Sequence, residues 1–184
     1  GGAPGTASIS LEGADDGVIV SGSDVWRGWT RDGSRDLFRH AWPAAWRPPQ
    51  LPAGWEPVRS QVEGAPILLH GEMLFVNGRP LEQVFSASAV RQRAGTFFVS
   101  AAGVNGSGVV WAHTPHDLTR DDVEVEVALR PALLVARGVS RLTLRRLTFR
   151  HASSQLQDAA VRIDRGSDVR VEAERYGMTF EPTV

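Results

Sequence analysis

One spacing constrains this chain more than any other feature. Leu134-Val135-Ala136-Arg137-Gly138-Val139-Ser140-Arg141-Leu142-Thr143-Leu144 and Val161-Arg162-Ile163-Asp164-Arg165-Gly166-Ser167-Asp168-Val169-Arg170-Val171 follow one template. An apolar-x-apolar strand enters a five-residue turn that contains glycine, and a second apolar-x-apolar strand follows. Leu134 and Val161, Leu142 and Val169, and Phe149 and Tyr176 all stand 27 positions apart. A fixed period of this size, built on two-residue alternation with no helical pattern between, predicts an all-β solenoid in which each copy is one coil.

Charged residues obey the same offset although the apolar template does not require it. Arg137 falls over Asp164, Arg141 over Asp168 and Arg145 over Glu172. Equivalent positions in stacked parallel coils lie about 4.8 Å apart, so three opposite-charge pairs between coils are expected. If exposed, each is worth roughly 0.2–1 kcal/mol and sets register more than stability.

An earlier stretch fits the template with one extra turn residue. Ile9-Ser10-Leu11 matches the first strand, Val18-Ile19-Val20 the second, and Val25 the position of Phe149 and Tyr176. The expected organisation is therefore a first coil over residues 8–25, an inserted segment over 26–131, and further coils over 132–184. At the C-terminal end Glu174 stands where Leu147 stood, so that coil is expected to be distorted. Gly177-Met178-Thr179-Phe180 could begin another coil, and an open end at Val184 suggests a piece of something longer.

The insertion opens with Trp26, Trp29, Trp42, Trp46 and Trp55 among Pro43, Pro48, Pro49, Pro52 and Pro57, irregular chain pinned by aromatics. Strand signals then become clear. Asn77-Gly78 between Met73-Leu74-Phe75-Val76 and Arg79-Pro80-Leu81 is a type I′ hairpin signature, with Pro80 expected at an edge. Thr96-Phe97-Phe98-Val99 and Val109-Val110-Trp111-Ala112 read as a second hairpin, and Val123 to Leu129 as a half-buried strand. Together they predict a small antiparallel barrel or sandwich.

Composition narrows the chemistry. The chain has 184 residues, no Cys and a formal net charge of −1. A thiol nucleophile, a thiolate metal site and a disulfide frame are excluded from these residues. All 20 cations are Arg, so lysine chemistry is excluded as well. Near-zero charge speaks against nucleic acid, and no apolar run is long enough for membrane insertion.

Leu142-Thr143-Leu144-Arg145-Arg146-Leu147-Thr148-Phe149-Arg150-His151, with Asp158-Ala159-Ala160-Val161 and Gly166 to Glu172, resembles the right-handed parallel β-helix repeat of bacterial polysaccharide-active proteins, the pectate-lyase-like fold. Met73 to Gly78 with Gly95 to Val99 resembles the small β-barrel insertion of the glycosidase branch. The resemblance implies a right-handed parallel β-helix interrupted by an antiparallel β subdomain. It implies a polysaccharide or oligosaccharide partner, no cofactor, and a secreted, periplasmic or cell-surface location. A glycoside hydrolase is the first functional expectation, with a non-catalytic glycan-binding or adhesion module and a polysaccharide lyase as alternatives. The family's catalytic carboxylates lie several coils further on, so whether this piece is itself an enzyme stays open.

Glycosidic chemistry needs two carboxyls about 5–9.5 Å apart on one face. Asp164, Asp168 and Glu172 are expected in ion pairs instead, which leaves His151 and Asp158, around the loop between coils, as the catalytic candidates. Trp26, Trp29, Gln155 and Gln157 are the candidates for substrate binding. His113, His116 and Asp117 have the spacing of metal ligands but lack a second cluster, and Asp15-Asp16-Gly17 lacks the rest of a calcium loop; no metal is expected. Exposed coil ends present unpaired strand edges and open a route to self-association.

Overall fold

The structure, a computed structural model, describes residues 8–15, 17–33, 36–42, 72–100, 108–154, 159–172 and 175–177. It is nearly all β. The strands are β1 (Ile9–Glu12), β2 (Ile19–Ser21), β3 (Ser23–Val25), β4 (Thr30–Arg31), β5 (Leu37–Trp42) and β6 (Met73–Val76). There follow β7 (Arg79–Pro80), β8 (Glu82–Gln83), the helix α1 (Ala87–Gln92), β9 (Thr96–Ser100), β10 (Gly108–His113) and β11 (Val125–Ala128). The chain continues with β12 (Leu134–Arg137), β13 (Ser140–Arg145), β14 (Thr148–Arg150), β15 (Val161–Asp164), β16 (Ser167–Glu172) and β17 (Arg175–Gly177). Two compact units result: Gly1–Gly22 with Arg130–Val184, and Ser23–Leu129.

In the first unit every strand pairing is parallel. Leu134 pairs with Val161 and Arg137 with Asp164. Leu142 pairs with Val169 and Leu144 with Val171, while Phe149 pairs with Tyr176. The 27-residue register of the sequence is therefore the register of the backbone, and Ser167 Oγ donates to Ser140 Oγ at 3.0 Å across the same offset.

The earlier copy stacks in a different phase from the one its turn length suggests. Ile9 and Leu11 pair with Leu142 and Leu144, and Val20 pairs with Phe149. Its two strands thus correspond to the second and third strands of the repeat, not the first and second. Val25 does not join Phe149 but pairs antiparallel with Glu126 in the other unit. A three-residue apolar-x-apolar strand carries no label of its own, so turn length misplaced it. Two glycines fix the true phase. Gly13 N donates to Arg145 O and Gly22 N to Arg150 O, each at 3.0 Å. A Cβ on Gly13 would lie 2.2 Å from Arg146 O, and one on Gly22 would lie 2.2 Å from His151 O.

The middle level is the dry one. Leu142, Leu144 and Phe149 are 2%, 0% and 3% exposed, whereas Leu11 above and Val171 below are 41% and 45% exposed. The same apolar pattern is therefore fully buried only where a neighbour covers both sides, and burial of each such side chain stabilises by roughly 1.5–3 kcal/mol.

The corners repeat in conformation more faithfully than in residue type. Gly138 and Arg165 both have positive φ (62° and 53°), and so do Arg141 and Asp168 (57° and 53°). Each couple is 27 positions apart. The glycine slides by one between copies: Gly166 follows the left-handed position, and a Cβ there would meet Ile163 Cγ2 at 2.7 Å. It provides room, whereas Gly138 provides the angle.

The second unit holds two sheets, ordered β4-β5-β10-β9-β8 and β3-β11-β6-β7. Phe38, Trp42, Phe97, Val99, Val110 and Ala112 from the first join Leu74, Val76, Val125 and Val127 from the second, with Trp29 from the connection before β4, in one buried cluster. Both hairpins read from sequence are present. Asn77 and Gly78 have φ of 50° and 75°, with Val76 opposite Arg79 and Phe75 opposite Pro80. β7 lies at the sheet edge, where Pro80's missing N–H costs nothing. β9 and β10 pair antiparallel with Val99 opposite Val110.

Two features differ from expectation. β11 is buried at every residue, not on one face only, because it is a central strand and Ser23 Oγ donates to Glu126 Oε1 at 2.7 Å. That bond gives the carboxylate a partner where a lone one would be costly. The helix α1 departs from the all-strand expectation: Ser86 caps it by accepting from Ala89 N at 3.1 Å, and Val90 is fully buried. Six residues hold too little periodicity to be read as a helix, and only the Ser preceding an Ala-rich run signals it.

Candidate functional site

The sequence-selected residues fall in different surroundings. Trp29 is 3% exposed within the core of the second unit. Trp26 is partly buried against the same core, its ring 4.8 Å from that of His40 and 5.4 Å from that of Trp42. His40 is wedged between Trp26 and Trp29, with Nδ1 2.6 Å from Ala41 O and Nε2 3.0 Å from Arg27 O. Its ring is thus spent on tying the β5 strand to the segment before β4. His151 is half-buried in a left-handed conformation (φ 58°) directly after β14. Asp158, Gln155 and Gln157 lie outside the described residues, as do Trp46, Trp55, Asp16, Glu174 and Met178 to Val184.

Two of the three ion pairs expected at the 27-residue offset are present. Arg137 Nε lies 3.4 Å from Asp164 Oδ2 and Arg145 Nε 3.0 Å from Glu172 Oε2. Arg141 and Asp168 form no pair among the described residues. Both adopt positive φ, and the ladder passes from Ser140–Ser167 straight to Leu142–Val169 without them. A left-handed residue turns its side chain out of the ladder, which alignment by offset alone cannot show. Arg146 instead reaches back to Glu12 at 3.1 Å.

His113, His116 and Asp117 form the end of a strand and its turn. His113 Nδ1 lies 2.8 Å from Val90 O, beneath α1. Asp117 accepts from Thr119 Oγ1 at 2.7 Å and Thr119 N at 3.1 Å, and it pairs with Arg31. The Thr119 hydroxyl, helped by the Thr119 amide and the Arg31 guanidinium, holds the Asp117 carboxyl below its usual range. Among the described residues no group of three or more His, Asp or Glu is arranged to hold a metal ion. No helix among them is long and apolar enough to cross a membrane.

A further polar and aromatic constellation among the described residues lies outside the candidates that the sequence offers. Alternation along β10 sends Val110 and Ala112 into the core and Trp111 to the other face. Register sets Arg39 of β5 and Phe98 of β9 on either side of Trp111, in one row across three strands. The Phe98 and Trp111 rings are stacked, with centroids 5.7 Å apart and planes 15° from parallel. Trp111 Nε1 donates to Asp32 Oδ2 at 2.8 Å, and Arg91 Nη2 donates to the same oxygen at 2.9 Å. The indole is thereby locked, half-buried, beside a carboxylate whose charge is already met. Arg39 is exposed, and its guanidinium has no ion-pair partner among the described residues. Alternation along β9 and β10 sets Phe98 and Trp111 on one face, and only the register with β5 adds Arg39 to them.

No protein family matches the sequence, and no curated protein does. Among solved structures, one of XylC in complex with xylose is similar in fold, with a TM-score of 0.59 at 13% identity over 80% of this chain. The match spans 27% of the XylC chain. At that identity the likeness is one of fold alone.

Proposed function

We propose that this chain is part of a carbohydrate-active protein built on a right-handed parallel β-helix, in which the Ser23–Leu129 unit is an inserted antiparallel β subdomain. The observation that carries the reading is the parallel stacking of Leu134, Leu142 and Phe149 on Val161, Val169 and Tyr176. The fold likeness to a quarter of XylC, solved with xylose, supports a saccharide as the ligand class. Within this reading the protein is a glycoside hydrolase acting on polysaccharide at the cell surface, in the periplasm or outside the cell. This chain supplies scaffold and one wall of the sugar cleft, and the catalytic carboxylates come from elsewhere in the protein.

A glycan-binding module without turnover is the second reading. It is favoured by Asp164 and Glu172, whose carboxylates face Arg137 and Arg145 rather than each other. The two readings share one experiment. The chain is titrated with xylo-oligosaccharides and pectic oligosaccharides by calorimetry, and product release is followed by chromatography. Binding without products is the expected result for these 184 residues. Turnover would place the carboxylate pair within them, with His151 the first described residue to substitute. Failure to bind any saccharide would sink the proposal.

A further inference from the structure

We infer that the row Arg39–Trp111–Phe98 is a binding site for a carboxylated sugar, a pyranose ring carrying a uronate group. The inference rests on the saccharide reading and assigns it a place and a charge preference.

The geometry has three parts. Trp111 and Phe98 stack on one another, ring centroids 5.7 Å apart and planes 15° from parallel, on the side of the sheet opposite the core. The apolar C–H face of a pyranose can cover the outward face of this stack as a further aromatic ring would. Trp111 is fixed before any ligand arrives, because its Nε1 donates to Asp32 and Asp32 is in turn held by Arg91. A side chain already ordered loses little freedom on binding.

The third part is electrostatic. Asp32, the carboxylate beside the platform, is occupied by Arg91. Arg39, directly opposite Trp111 in the register, is exposed and meets no carboxylate among the described residues. Cross-strand neighbours stand about 5 Å apart at Cβ, so a ring resting on Trp111 puts its substituents within reach of the Arg39 fork. A guanidinium takes a planar carboxylate through two parallel hydrogen bonds, which a neutral sugar hydroxyl cannot match. A neutral saccharide would use the rings and leave the cation unused; a uronate uses both.

The test compares the chain with its Arg39→Gln and Trp111→Leu variants. The probes are xylopentaose and the same backbone bearing one glucuronic acid branch, with affinity read by calorimetry. The branched oligomer is expected to bind more tightly than xylopentaose and to weaken as salt rises from 0.05 to about 0.5 M, as screening requires. Arg39→Gln should cost about tenfold for the acidic oligomer and leave the neutral one unchanged. Trp111→Leu should cost about tenfold for both. Arg39→Gln alters an exposed side chain, so a folding defect in the Trp111 variant would not remove the test. Equal affinity for the two oligomers overturns the charge preference. Binding that neither variant weakens overturns the site but leaves the saccharide reading standing. No binding of either oligomer by the unaltered chain, together with none of the pectic oligosaccharides, overturns both.

Discussion

Gly22 shows how much a single missing side chain can decide. The carbonyl of His151 occupies the space a Cβ would need, 2.2 Å away, and that atom is backbone. Gly22→Ala must therefore displace one strand from its neighbour, and a loss of about 1–3 kcal/mol in denaturant unfolding is expected. At the Asp117 turn the effect is one of charge. Its folded-state pKa lies below the unfolded value, first through the Thr119 hydroxyl and then through the Thr119 amide and Arg31. The group's contribution is therefore present above the unfolded pKa near 3.8 and is lost as pH falls through the lower folded value. Thr119→Val should move the Asp117 midpoint up toward that ordinary value in an NMR titration; an unchanged midpoint would refute the assignment. At this scale the sequence was informative about turns and poor about orientation. Asn77-Gly78 announced its left-handed pair, but nothing in Arg141 or Asp168 said that their φ would be positive and the expected ion pair missing.

Strands are where the 27-residue period speaks most clearly. Leu144 and Val171 occupy the same template position, yet one is sealed on both sides and the other is 45% exposed. Leu144→Ala should cost roughly 2–5 kcal/mol and Val171→Ala well under half as much. Equal losses would mean that the levels do not stack as described. The register of β12, β13 and β14 was legible because alternation and period together leave one alignment. The phase of β1 and β2 was not, since strands this short fit any slot and only Gly13 and Gly22, by backbone contact, choose among them. Glu124 and Glu126 alternating with valine predict a half-buried β11, and the bond from Ser23, far away in sequence, gives the buried Glu126 a partner that no local window shows. The row around Trp111 is illegible in the sequence for a related reason. Its members Arg39, Phe98 and Trp111 come from three strands, and no local window contains them.

Across the molecule, burial is distributed unevenly. β10 and β11 contribute Val110, Ala112, Val125 and Ala128 with no exposure, and the outer levels of the first unit keep Ile9, Leu11, Val169 and Val171 between 38% and 45% exposed. Hydrogen exchange followed by mass spectrometry should therefore show its slowest amides in β10 and β11, with β1 and β16 exchanging earlier. Slow exchange in β16 would show that its apolar face is covered in solution. The coincidence of left-handed residues at Gly138 and Arg165, and again at Arg141 and Asp168, has a consequence for how such a chain can change in length. Because the bends recur at identical intervals, one layer maps onto the next by translation. A single residue added between two bends would swap wet and dry sides along the whole strand. Growth or trimming is then tolerated only outside the bends or in blocks of one full period, and anyone extending this scaffold should copy the sign of the backbone angle rather than the letter G.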